Sequence, residues 1–216
     1  MGHINQAIKV RNVFDTLGIK NFVETGTGVA ESLSHVLDVR PDDVKVYTVE
    51  LMDQLHDQLV AKFGQVPNLN LIKGYSHIEM KNIVEELSTD PTLFWHDAHF
   101  PGADFNINGA TYTSEPDATK RIPLESELRA IVDSGRDTTK DVFVLDDLRV
   151  YKDGPYEGGN WNLRAKAGAD NIDFVYELFD DTHYIIESYA AQGFLILFPI
   201  DTDIETCKDL VVGIVG

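Results

Sequence analysis

Residues 22–32 read Phe22-Val23-Glu24-Thr25-Gly26-Thr27-Gly28-Val29-Ala30-Glu31-Ser32, a short apolar strand, a glycine turn and the start of a helix. Gly26 and Gly28 carry no Cβ, so the backbone can turn tightly at the strand's carboxyl end and come close to a ligand. Glu24 stands at the same rim. About 20 residues further on, Val44-Lys45-Val46-Tyr47-Thr48-Val49-Glu50 is a second β-rich run ending in an acid, where a ribose-binding carboxylate belongs. Together the two stretches make a mononucleotide-binding half. A glycine pattern of this kind also occurs in plain strand-to-helix turns, so the reading leans on Glu50 and on the strand ends that follow.

Working outward, the chain keeps alternating. Apolar residues at helical spacing predict helices over about 5–17, 29–39, 53–63, 77–87, 123–134 and, last, 172–179. Further β-rich runs lie at 68–73, 93–96, 142–145, 183–189 and 194–198. The short connection around Gln192-Gly193 makes the last two pair antiparallel. The expected fold is α/β: a Rossmann-like, mostly parallel seven-stranded sheet with helices on both faces and an antiparallel C-terminal hairpin. A length of 216 residues suits one domain over 1–216. Loop insertions rich in Pro and Gly interrupt it near 100–120 and 151–160, and the first is long enough to read as a lid or substrate loop.

The charge narrows the classes of function. With 36 acids against 18 bases the formal charge is −18, spread along the chain, and no basic patch is visible to neutralise phosphates. Nucleic acid is therefore not an expected partner. One cysteine, Cys207, rules out an intrachain disulfide and a thiol redox motif. The first residues, Met1-Gly2-His3-Ile4-Asn5-Gln6, lack the apolar core of a signal peptide, and no run is long enough for a membrane span. The expectation is a cytoplasmic protein with no membrane partner. Its oligomeric state stays open, a homo-oligomer included.

Ligands on such sheets sit outside the carboxyl ends of the strands. Glu24, Glu50, Ser76, Asp97, His99, Asp146 and Asp147 all fall at or just beyond those ends. Asp97, Asp146 and Asp147 come from two neighbouring strand ends, and Mg²⁺ takes a few such oxygens plus waters and a substrate oxygen. His99 is the candidate general base, since an imidazole titrates near neutral pH. The blander alternative pairs Asp147 with Arg149 and leaves His99 an ordinary polar rim residue.

V-E-T-G-T-G at residues 23–28, the acid Glu50 and the closing hairpin make the chain resemble the class I S-adenosylmethionine-dependent methyltransferases over nearly its whole length. The stretches F-W-H-D-A-H-F, P-L-E-S-E-L and V-F-V-L-D-D-L look like a subgroup related to metal-dependent macrolide-sugar and catechol-type O-methyltransferases. The resemblance implies S-adenosylmethionine as cofactor, with Glu24, Gly26 and Gly28 at its methionine end, Glu50 on the ribose and Ser76 near the adenine. Metal-dependent relatives place acids at these two strand ends, in line with Mg²⁺ on Asp97, Asp146 and Asp147 and a catalytic Asp97, whereas His99 as base is a substitute rather than a motif match. The chain departs from the pattern in two places. Ala30 replaces a third glycine, and Phe100 stands where catechol-type relatives carry a lysine base. The fourth strand ends in Asp97-Ala98-His99-Phe100 rather than in the motif of amino-methylating relatives, which points to a hydroxyl of a small molecule, a sugar or natural product, as acceptor. Two rival classes share the glycine turn: an NAD-dependent oxidoreductase, and a non-catalytic module that keeps the fold without the chemistry.

Overall fold

The computed structural model describes residues 3–103, 105–160 and 171–213. The chain runs α1 (Ile4–Ala7), α2 (Val10–Leu17), β1 (Asn21–Thr25), α3 (Glu31–Val39), β2 (Lys45–Glu50), α4 (Asp53–Phe63), β3 (Leu69–Lys73) and α5 (Ser76–Glu86). It continues with β4 (Thr92–His96), α6 (Ala118–Arg121), α7 (Leu124–Asp133), β5 (Val142–Leu145), α8 (Asp173–Phe179), β6 (His183–Ser188), β7 (Phe194–Pro199) and α9 (Ile204–Leu210). The seven strands form one sheet in the order β3-β2-β1-β4-β5-β7-β6. The pairs from β3 through β5 are parallel, and β7 runs antiparallel to both β5 and β6. The order reverses between β1 and β4, which makes their carboxyl ends the switch point where such sheets bind ligands.

Sequence explains why these strands are central. β1, β4 and β5 are buried along their whole length, as the nearly unbroken run of apolar and aromatic residues demands when helices cover both faces. Phe22, Val46, Trp95, Val144 and Ile196 face one core, closed by α1–α4 and α9. Val23, Val49, Phe94, Phe143 and Leu197 face the other, closed by α5, α7 and α8. The helix caps are mostly local. α2 stops at Gly18 in the left-handed conformation (φ 64°), and Asp203 accepts the Thr206 N–H at 2.9 Å to start α9.

Three expectations need correction. The helix over 5–17 is two helices, because Ile8 leaves it to bridge Val211 and the Lys9 N–H donates to the Leu210 carbonyl at 2.8 Å. The helix at 172–179 is not the last: α9 follows β7 and buries Cys207 and Leu210 in the first core. Both changes come from long-range pairing between the chain's two ends. Residues 100–120 are also less irregular than expected. The Phe100 N–H donates to the Arg121 carbonyl at 2.7 Å, and a short 3-10 turn (Ile107–Gly109) and α6 occupy the interval; Asp104 lies outside the described residues. Among the described residues no helix is long and apolar enough to cross a membrane.

Candidate active site

Thr25, His96 and Leu145 are register partners across β1, β4 and β5. The residues that follow them, Gly26, Asp97 and Asp146, therefore emerge side by side. The stitching continues past the strands, since the Asp97 N–H donates to the Thr25 carbonyl at 3.1 Å and the Asp146 N–H to the His96 carbonyl at 3.0 Å. Gly26 (φ 79°) must be glycine, because a Cβ there would stand 2.6 Å from the Asp97 carbonyl oxygen.

A cleft with a volume of about 100 Å³ opens over this switch point. Every predicted cofactor residue lines it: Glu24, Gly26, Gly28, Glu50 and Ser76. Gly28 (φ 54°) turns the chain so that its N–H reaches Glu50 Oε2 at 2.8 Å, while the Met52 N–H reaches Glu50 Oε1 at 2.7 Å. Burial raises the Glu50 pKa against these two hydrogen bonds. Glu24 is only 1% exposed, and the Thr48 hydroxyl donates to its Oε2 at 2.5 Å. Burial pushes the Glu24 pKa up to about 8; the Thr48 hydrogen bond opposes the rise, and the charge of Glu50 adds to it. Ala30 takes φ 66° at the start of α3, the left-handed conformation that a third glycine would adopt without strain.

The cleft also uses residues that the sequence did not single out. Thr27 shares a hydroxyl contact of 2.5 Å with Thr48, completing the polar floor under Glu24. Met52, Tyr75, His77 and Phe105 form an apolar and aromatic wall, and His3, paired with Glu31 at 3.2 Å, closes one side. No periodicity announces these positions. They come from five separate segments.

Asp97 and His99 line the cleft, Asp146 and Asp147 lie just behind them around a small adjoining cavity, and the four form two groups. The buried carboxyls of Asp97 and Asp146 meet each other, and neither Asp146 oxygen meets an N–H or O–H donor. Burial and then the neighbouring carboxylates raise the pKa of both. Asp147 belongs to the second group. Its backbone is left-handed (φ 53°), His99 Nε2 lies 3.0 Å from Oδ2, and Arg149 Nε donates to Oδ1 at 3.2 Å. Burial alone would raise Asp147, but the His99 contact and the charges of His99 and Arg149 override it and hold the carboxyl below its usual range. His99 Nδ1 lies 3.7 Å from Asp97 Oδ1.

Among the described residues no group of three or more His, Cys, Asp or Glu side chains is assembled as a metal cage. Asp97 and Asp146 nevertheless fit a divalent cation: two buried carboxyl groups face one another, both Asp146 oxygens lack a hydrogen-bond partner, and Mg²⁺ commonly takes one or two carboxylates plus waters. The glycine turn and the Glu24 and Glu50 carboxylates fit a nucleoside cofactor in the same way, through a cradle that a Cβ would fill.

No protein-family model matches the sequence, and no curated protein matches it. Solved structures do. The SAH-bound Podospora anserina methyltransferase PaMTH1 superposes with a TM-score of 0.59 at 13% identity, over 89% of this chain and 76% of that one. The O-methyltransferase of Bacillus cereus in complex with SAH gives 0.54 at 14% identity, over 88% and 78%. TomG of Streptomyces achromogenes, an O-methyltransferase of tomaymycin synthesis in complex with SAM, gives 0.54 at 14%, over 88% and 77%. At this identity the likeness establishes the fold, a seven-stranded Rossmann-like methyltransferase fold closed by an antiparallel hairpin.

Proposed function

We propose that this chain is an S-adenosylmethionine-dependent methyltransferase that methylates a hydroxyl oxygen of a small molecule, a sugar or natural product, with a divalent cation, Mg²⁺, at Asp97 and Asp146. The observation that carries the reading is the juxtaposition at the switch point. A glycine cradle faced by Glu24 and Glu50 opens directly beside the facing carboxyls of Asp97 and Asp146, and both Asp146 oxygens lack a hydrogen-bond partner. The three similar structures, crystallised with SAH or SAM, support the cofactor.

In this reading Glu50, its two oxygens already oriented by the Gly28 and Met52 N–H groups, holds the ribose hydroxyls. Glu24 lies at the methionine end, and Ser76 at the start of α5 lies at the adenine end. S-adenosylmethionine, when bound, supplies an electrophilic methyl group on a sulfonium. A cation on Asp97 and Asp146 supplies charge that lowers the pKa of an acceptor hydroxyl. Asp147 orients the His99 ring through Nε2, which sets Nδ1 on the Asp97 side to take the acceptor's proton. The segments 100–120 and 151–160 flank this point and shape the acceptor's pocket, as lids that order over it. Phe100, Pro101, Gly102 and Phe105 of the first already line the cleft.

The test is stepwise. SAH but not NADH should raise the melting temperature. Chelation should abolish methyl transfer to hydroxylated acceptors and added Mg²⁺ restore it, and Asp97→Asn should not be rescued. Stabilisation by NADH instead, or full activity in chelator, removes the cofactor reading or the cation reading respectively.

A further inference from the structure

A second, small cavity adjoins the catalytic groups: His99, Asp146 and Asp147 line one side of it, and His96, Glu127 and Tyr151 are among the residues lining the rest. Its volume of about 10 Å³ is room for one water molecule. Two ionisable residues there, His96 and Glu127, have no part in the chemistry above. His96 is 4% exposed and Glu127 1%. His96 Nδ1 lies 2.6 Å from Glu127 Oε2, and the Thr25 hydroxyl donates to the same oxygen at 3.2 Å. These contacts use one nitrogen and one oxygen. His96 Nε2, Glu127 Oε1 and both Asp146 oxygens are buried without a partner.

Packing gives no reason for a polar pair here. The His96 ring stacks near-parallel to Phe94 and Phe143, with centroids 6.1 and 6.4 Å away, in an aromatic column that phenylalanine would complete. Glu127 sits in the inward stripe of α7 with Leu124, Leu128 and Ile131, where an aliphatic residue would pack. Buried polar groups are retained at a cost unless their hydrogen bonds are met.

We infer that one buried water occupies this cavity and ties His96 and Glu127 to Asp146, making them a positioning dyad that holds Asp146 toward the cation. The inference rests on the cation reading above. The water donates one hydrogen to His96 Nε2 and the other to an Asp146 oxygen, while the ring's Nδ1–H is donated to Glu127 Oε2 on its opposite edge. Glu127 fixes the imidazole ring through Nδ1, so the ring edge presented to the water is set by α7. Outer hydrogen bonds of this kind tune how strongly a carboxylate holds its metal.

The experiment is a Mn²⁺ titration read by water-proton relaxation, with Mn²⁺ standing in for Mg²⁺ at an oxygen site. Wild type, Asp146→Asn, His96→Phe, His96→Gln and Glu127→Gln are compared, alongside SAH affinity and thermal unfolding. Asp146→Asn should lose the ion, and His96→Phe should weaken it by about 10–100-fold without lowering the melting temperature. Glu127→Gln should move affinity the same way. His96→Gln, whose amide can reach the water, should recover part of it. If His96→Phe does not fold, the near-isosteric Glu127→Gln carries the test. Mn²⁺ affinity equal to wild type in His96→Phe and Glu127→Gln, with Asp146→Asn still defective, overturns the dyad alone. A wild type that binds SAH but no Mn²⁺ overturns the cation reading and the dyad together, and leaves the cofactor reading standing.

Discussion

Glu50 and Gly28 act as one unit: the carboxylate at the end of β2 accepts the N–H of the glycine turn after β1 at 2.8 Å. The acid therefore shapes the cradle as well as facing into it. Glu50→Ala removes both functions, and charge-assisted hydrogen bonds are worth about 1.5–3 kcal/mol each. SAH affinity should fall at least about tenfold by calorimetric titration. An unchanged affinity would remove Glu50 from the cofactor site.

The two glycines of the turn should respond differently to alanine. At Gly28 a Cβ would meet the Cζ of Phe105 at 2.9 Å, and that ring edge is able to swing aside. At Gly26 it would meet backbone, the Asp97 carbonyl oxygen at 2.6 Å and Ala98 at 2.8 Å, where β1 and β4 are hydrogen-bonded. Gly28→Ala should lower SAH affinity with a modest loss of stability from the left-handed backbone, about 1–2 kcal/mol. Gly26→Ala bears the same strain and a backbone clash besides, so it should unfold at clearly lower denaturant. Equal midpoints for the two variants would contradict the difference in packing.

Glu24 should make stability depend on pH. Its pKa is raised from 4.5 to about 8, chiefly by burial. Between those values the folded protein keeps a proton that the unfolded chain has lost, so stability falls as pH rises through that window. The contribution is fully present below about pH 4.5 and gone above about pH 8. Melting curves from pH 5 to 9 should show the decline, and Glu24→Gln should flatten it. A cationic ammonium bound beside Glu24 would drive the proton off, so SAH titrations at pH 7 in buffers of different ionisation enthalpy should report proton release. A wild-type melting profile identical to that of Glu24→Gln would refute the assignment.

His99 and Asp147 are predicted to affect turnover more than binding. General-base groups contribute about 10²–10⁴-fold to rate. His99→Ala should lose kcat in that range with SAH affinity retained, and Asp147→Asn should lose less, because it misorients the ring without removing it. Initial rates of SAH formation with a hydroxylated acceptor decide this. A fully active His99→Ala leaves the histidine a rim residue.

At the opposite end of the sheet Arg136 and Asp141 form a buried pair, 6% and 1% exposed, with Nε to Oδ2 at 2.8 Å. Asp141 also accepts the Thr92 N–H at 2.9 Å, and Arg136 donates to the carbonyls of Ser88 and Asp90, so the pair clamps the loop before β4 to β5. Asp141→Ala should cost about 3–5 kcal/mol by leaving a buried charge unpaired. Denaturant unfolding gives the loss, and SAH affinity measured on the remaining folded protein should be unchanged.

The sequence by itself determined the strand–helix alternation and the acids at the strand ends, because both depend on local pattern. Apolar period, glycine turns and the position of an acid after a β-rich run survive without knowledge of neighbours: β5 falls on residues 142–145 and α4 on 53–63 as read. Only the tertiary structure decided how the acids group. Asp97, Asp146 and Asp147 look like three equivalent carboxylates in sequence. The left-handed turn at Asp147 sends its side chain to His99 and Arg149, while strand register sets Asp146 against Asp97. The tertiary structure also supplied α9 and the break at Ile8, which depend on contacts between residues some 200 positions apart in the chain. Glu127 was half legible, an acid in an otherwise apolar helical stripe. What it faces, a histidine buried in an aromatic column, is a contact between β4 and α7 that no local pattern encodes.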